Sequence, residues 1–306
     1  MTAPTTKAGL RPAPSEAPPD TPDTADTADT ANTSDTAPRR SRARILEALR
    51  WTALRLLALT VLLAAWQAAV AAELWPRVLV PSPGEVWRQF LLASTTHDGV
   101  RGCGGHLLIE HLWVSLGRIG TGSAYAVLAG VPLGLLIGTV RPLAVVLEPA
   151  VTFLRTLPPL AYLSLLVIWF GIDEAPKIWL LVIAALPPIA AATAAAVRTV
   201  PDELVEAAKA LGSGPASLLL SVRLPAALPE ILTGIRIAVG VAYTSVVAAE
   251  TINGVPGIGG MIRDAQRYNQ TALVIAGILA IGLSGIVLDA LLRGIERFAV
   301  PWRGRG

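Results

Sequence analysis

The chain has 306 residues, 53% hydrophobic and 15% charged, with a formal net charge of +3 and a mean hydropathy of +0.57. That balance excludes an ordinary soluble globular protein. A single cysteine, Cys103, excludes an internal disulfide framework.

Residues 1–44 are rich in Pro, Thr, Ala and Asp and carry a DTADTADT repeat at 23–30. Nothing there can bury a core, so residues 1–45 are read as a disordered cytoplasmic tail. Charge-free apolar runs then recur at 56–72, 119–140, 178–197 and 271–288. A bilayer core takes about 20 such residues per helix, so the expected fold is all-α, a polytopic membrane protein with about six transmembrane helices. The first span is placed at about 51–72, and with the outer segment after it forms a region over 46–110. That segment holds Pro81-Ser82-Pro83 and an amphipathic stretch at 85–92. Cys103, His106 and His111 follow in a C-x2-H-x4-H spacing, with His97 upstream. The spacing matches no standard zinc pattern, and the surrounding glycines suggest a loop, so no metal is expected.

Span 2, at about 112–140, carries Gly122, Ala126, Gly130, Gly134 and Gly138 at four-residue intervals. In lipid such a small-residue stripe permits close backbone packing, here expected within one subunit. Span 3, at 149–171, contains Arg155 and the Pro158-Pro159 pair. Span 4, at 176–197, contains Pro187-Pro188, and both pairs are expected to break or kink their helices. Residues 198–230 form a polar interruption. Pro201, Asp202 and Glu203 suit a first helical turn, and Leu204, Ala207, Ala208 and Leu211 repeat at i, i+3, i+4, i+7 on one narrow face. Gly212, Ser213 and Gly214 break this helix; Pro215 starts a second, which Pro225 and Pro229 are expected to end. Such an element between spans reads as a docking surface.

Span 5, at 229–252, includes Arg236, Tyr243, Thr244, Ser245 and Glu250. An outer loop over 253–270 follows, with Gly257, Gly259 and Gly260 read as a turn. Span 6, at 271–292, leads through Asp289 to a basic end. The transmembrane domain is thus bounded at 111–298, with a cytoplasmic tail at 299–306. Arginines gather before span 1, in the central interruption and after span 6, which places both termini in the cytoplasm by the positive-inside rule. The chain has three lysines (Lys7, Lys177, Lys209) and none follows a glycine, so it has no P-loop for ATP. No catalytic residue and no cofactor are expected.

At the central interruption the sequence resembles a known family. Integral-membrane subunits of ABC importers carry a cytoplasmic loop of the form E-A-A-x3-G-x9-I-x-L-P. Here Glu206-Ala207-Ala208, Gly212, Val222, Leu224 and Pro225 stand at those spacings, with Val222 in the isoleucine place. Further segments resemble the taurine, sulfonate and nitrate branch, and the taurine permeases most. They are RTLPPLAYLSLLVIWFGIDEAPKI at 155–178, LPAALPEILTGIRIAVGV at 224–241, VVAAE at 246–250, GIGGMI at 257–262, and the PW ending. Departures fall at Thr156, Ser164 and Asp173.

The resemblance implies a type I importer permease, paired as a homodimer and served by cytoplasmic ATPase subunits and an extracytoplasmic solute-binding protein. Leu204, Ala207, Ala208 and Leu211 would then fill a groove on the ATPase, with Gly212 setting the turn. Glu206 would pair with basic groups there or with Lys209. Tyr243, Thr244, Ser245 and Glu250 are candidate lining of the translocation pathway; alternatively Glu250 anchors the end of span 5 through Arg263 or Arg267. The implied solute is taurine or a related sulfonate. Nitrate or another small solute is the alternative within the class, and an ATP-independent channel or scaffold the alternative outside it.

Overall fold

The computed structural model describes residues 37–97 and 99–301, and the chain divides into two units at Leu62. The first unit contains most of helix α1 (Ala37–Ala71), whose stretch Leu49–Ala71 is long and apolar enough to cross a membrane. Most of the tail expected at 1–45 lies outside the described residues. From Ala37 onward, however, the chain is helical, as a run dense in Ala, Arg and Leu favours.

The second unit takes in the end of α1 and continues to α2 (Pro83–Ser94), where the expected amphipathic stretch lies. Ser82 and Glu85 form a reciprocal cap: the Glu85 N–H donates to Ser82 Oγ at 3.2 Å, and the Ser82 N–H to Glu85 Oε2 at 2.8 Å. That backbone N–H holds the Glu85 carboxyl below the usual carboxylate range. A two-stranded antiparallel hairpin follows, β1 (Thr96–His97) and β2 (Val100–Arg101).

The frame is built from α3 (Leu108–Thr139), α6 (Glu174–Arg198) and α9 (Leu224–Asn253). Their shared core includes Ile119, Ala126, Leu181, Ala185, Ile189, Ala238, Ala242 and Val246. The stripe on α3 packs against α6 within the same subunit. A Cβ added at Gly134 would lie 2.5 Å from both the Ala190 carbonyl oxygen and Thr193 Cβ, and one at Gly122 would lie 2.6 Å from Leu181 Cβ. Gly134→Ala should therefore destabilise the protein by about 1–3 kcal/mol, through overpacking against a backbone that cannot yield. Gly120→Ala has open space at the added atom and should be neutral or slightly stabilising. Thermal melting of both variants in detergent checks the contrast.

Span 3 breaks at its proline pair, as expected, but begins earlier than the expected residue 149. It comprises α4 (Arg141–Thr156) and α5 (Pro159–Phe170), which meet at 97°. Leu157 and Pro158 are both extended, as residues preceding a proline prefer, and Pro159 opens α5, where no N–H is needed. The second proline pair behaves otherwise, for α6 continues as one helix through Pro187-Pro188. Five helices thus have spanning length and hydropathy among the described residues, or six if the bent pair is one span.

After α6 come α7 (Asp202–Ala210), a single turn α8 (Pro215–Ser217) and a π-helical stretch, Leu218–Arg223, that runs directly into α9. Pro225 and Pro229 therefore do not end a helix. The Leu224 N–H bonds back to the Leu219 carbonyl in the wide π pattern, and Pro225 falls in the first turn of α9. The glycine run read as a turn instead opens α10 (Ile258–Arg267), and α11 (Thr271–Ala299) completes the unit.

Candidate functional site

Two features stand at opposite ends of α6. Its 25 residues imply a separation of about 36 Å at a rise of about 1.5 Å per residue.

At the C-terminal end of α6 lies the ridge on α7. Asp202 and Glu203 sit in the first turn and Lys209 in the last, complementing the helix dipole. Val205, 4% exposed, turns inward, while Leu204 is 49% and Leu211 88% exposed. Ala207 is also exposed and Ala208 half-buried, so the predicted face points outward. Gly212, at φ +81°, closes the helix: its N–H donates to the Lys209 carbonyl at 2.9 Å and the Ser213 N–H to Ala208 at 3.0 Å. That paired pattern needs a left-handed residue, which glycine takes without strain. α7 rests on the π-helical stretch, with Val222 and Leu224 half-buried and Pro225 exposed. Glu206 makes no ion pair with Lys209 or with any other described residue.

At the other end lies a buried charge network. Glu250 on α9 is fully buried, and its partner is Arg118 on α3, with Nη1 2.6 Å from Glu250 Oε1. The same guanidinium forks onto Glu174 at the start of α6, at 2.6 and 2.7 Å, and Lys177 Nζ reaches Glu174 at 2.9 Å. Ser115 Oγ donates to Glu250 at 2.7 Å and accepts the Ile258 N–H at 3.0 Å. The Gly259 N–H donates to Glu250 Oε2 at 2.8 Å. Two cations thus meet two carboxylates, with the remaining lone pairs satisfied, the condition a buried ion pair requires.

The glycines make this approach possible. A Cβ on Gly257 would lie 2.6 Å from Arg118 Nη1, and one on Gly259 would lie 2.9 Å from Glu250 Cβ. The network corrects one expectation, the identity of the arginine that anchors Glu250. Glu250 is anchored by Arg118 rather than Arg263 or Arg267; Arg263 instead donates to the carbonyls of Thr251 and Ile252. The hydroxyls of Thr244 and Ser245 both donate to the Val241 carbonyl, at 2.9 and 2.8 Å. Tyr243 bonds the Ile281 carbonyl and Ser284 on α11. Sequence reasoning missed Arg118; the signal that could have found it is a lone charge in an apolar span, a costly placement that marks a functional or paired residue.

His111 is likewise occupied. Its Nδ1 accepts the Gly257 N–H at 3.0 Å, and its Nε2 lies 3.1 Å from the Cys103 carbonyl. The histidine therefore pins the hairpin to the loop before α10. Burial pushes the Cys103 thiol above its usual range. Maleimide labelling at neutral pH should run slower than for a free thiol and accelerate as pH rises, because only the thiolate reacts. Mass spectrometry of timed aliquots reads this directly.

Residues 130–300 match the family described as the binding-protein-dependent transport system inner membrane component. The chain belongs to that family. Among its relatives, the taurine transport system permease protein TauC of Escherichia coli is 39% identical over 80% of this chain and 88% of that protein. The putative aliphatic sulfonates transport permease protein SsuC of Bacillus subtilis is 32% identical over 79% and 85%. The bicarbonate transport system permease protein CmpB of Synechococcus elongatus is 35% identical over 60% and 66%. In structure, the permease resembles a chain of the inward-facing MetNI methionine ABC transporter, with a TM-score of 0.55 and 22% identity, covering 63% of this chain and 94% of that one. The protein is thus the multi-pass, inner-membrane permease component of an ABC importer, and not itself catalytic. Membership implies an ATPase and a solute-binding protein as partners, and it sets aside the ATP-independent channel or scaffold.

Proposed function

We propose that this permease moves taurine or a closely related small sulfonate into the cell by alternating access, as one of two identical subunits. The observation that carries the substrate is the 39% identity to the taurine permease over 80% of the chain. Similarity to the bicarbonate permease favours a second reading, a small oxyanion such as bicarbonate or nitrate.

In this reading the exposed face of Leu204, Ala207, Ala208 and Leu211 enters a groove on the ATPase, and ATP-driven closure of that partner moves α7. The displacement passes through the π-helical stretch to α9 and through α6 to the far end of the bundle. There the Arg118–Glu250–Glu174 network keeps α3, α6, α9 and α10 in register, so the outward end moves as a block. Both termini and α7 face the cytoplasm; the hairpin with Cys103, and α10, face outward. A membrane-impermeant maleimide applied to whole cells for long enough to react with a half-buried thiol should label Cys103, and labelling only after the membrane is permeabilised would reverse this orientation.

The substrate is tested by reconstituting the permease with its ATPase and binding-protein partners, then measuring ATP-dependent uptake of labelled taurine, ethanesulfonate, nitrate and bicarbonate. Sulfonates should enter at least about tenfold faster than either inorganic anion, a difference of about 1.4 kcal/mol in selection. A binding protein that ignores sulfonates sinks the substrate reading.

A further inference from the structure

Near the C-terminal end of α11, between it and α9, a cavity of about 420 Å³ is lined by Arg236, Arg293, Arg297 and Glu296. A second hollow of about 340 Å³ shares Arg236 and continues between the same two helices past Val239, Gly240, Gly282 and Gly285 to Tyr243. Sharing Arg236, the two make one elongated site, cationic at one end and mainly apolar along its length, with Asp289 also in the lining of the second hollow.

The charges are arranged to leave positive potential at the cationic end. Glu296 accepts from Thr233 at 3.0 Å and lies 3.3 Å from Arg236, while Asp289 pairs with Arg293 at 2.6 Å. Both nearby carboxylates are therefore occupied, and Arg297 joins no ion pair among the described residues. Three guanidiniums face two carboxylates. The apolar arm is open because of its glycines: an added Cβ at Gly240 or Gly282 would meet nothing within 4 Å. Its rim includes Ile286, 66% exposed, so the arm opens onto a surface that bilayer chains solvate.

Depth agrees with charge. About 20 residues of helix cross the hydrocarbon, so a span starting at Thr271 reaches the far boundary near Arg293 and Arg297. Phosphate headgroups lie at that level, and basic pockets between transmembrane helices bind anionic lipids there.

We propose that this site holds one anionic phospholipid, its phosphate against Arg293 and Arg297 with Arg236 behind, and one acyl chain along the glycine-lined arm. The seated lipid wedges α9 against α11. Occupancy then bears on how freely α9 moves, independently of which solute is carried.

The test uses the full-length protein in detergent, with native mass spectrometry counting bound lipid during titration. The probes are phosphatidylglycerol, phosphatidylcholine and soluble glycerol 3-phosphate. Phosphatidylglycerol should bind at one molecule per chain. The Arg293→Gln/Arg297→Gln variant, which leaves the Arg236–Glu296 pair in place, should bind it roughly thirtyfold more weakly. Gly282→Leu, whose Cβ would meet nothing within 4 Å and whose side chain adds bulk to the arm, should also weaken it, and a melting curve checks that both variants fold. Equal binding of phosphatidylcholine, equal competition by glycerol 3-phosphate, or unchanged affinity in both variants would overturn the proposal. So would a Gly282→Leu protein that changes oligomeric size while keeping its lipid, since the arm would then be a seam between copies.

Discussion

Replacing Arg118 by leucine should destabilise the permease by about 3–5 kcal/mol, the cost of leaving a buried carboxylate without its cation. Glu250 is fully buried and cannot recover the lost interaction from water, whereas the Glu174 side chain is 56% exposed and keeps Lys177 as a partner. The penalty therefore falls on Glu250. Glu250→Leu should cost a similar amount by stranding Arg118, which is 5% exposed. The double variant Arg118→Leu/Glu250→Leu should lose less than the two losses added, because neither buried charge is then unpaired. Thermal melting of the detergent-solubilised proteins measures all three. Additive losses, or single losses below about 1 kcal/mol, would show that the network contributes little to holding these helices.

A tryptophan at Ala207 should abolish co-purification of the ATPase while leaving the permease as stable as before. Ala207 is exposed, so the larger ring meets no atom of its own subunit's core. In a partner's groove it would displace the packing of Leu204 and Leu211, and a central contact of that kind carries about 2–4 kcal/mol, or roughly thirtyfold to a thousandfold in affinity. Gly212→Val should weaken the same association by another route. A β-branched residue at φ +81° is strained, so the chain would leave the left-handed conformation and re-aim the end of α7. Tyr268→Trp, on an exposed residue beyond α10, is the control for a bulky ring elsewhere. Unchanged ATPase recovery and uptake in both α7 variants would remove α7 from the coupling path.

Several features were legible from the chain because their causes are local. An apolar run of sufficient length must leave water whatever its neighbours are, so the spans could be counted before the fold was known. The ridge was legible for a similar reason: spacing by 3 and 4 places Leu204, Ala207, Ala208 and Leu211 on one side, and no core residue was needed to infer it. The small-residue stripe on α3 was readable as a packing face, although its partner, α6, was not. The proline pairs mark the boundary of this kind of reading. Pro158-Pro159 separates two helices meeting at 97°, yet Pro187-Pro188 lies within the unbroken α6. Composition at the two sites is alike, and the surrounding helices decide between the outcomes.

The amino-acid sequence by itself determined that this is a helical membrane protein with a small-residue ridge between spans, since hydrophobic length and helical period belong to neighbouring residues. Only the tertiary structure decided which charge answers Glu250, because Arg118 stands 132 residues earlier in the chain. It also decided why Gly257 and Gly259 must lack side chains. Ion pairing and close backbone approach depend on distance in space, and at such separations along the chain only the packed helices set that distance.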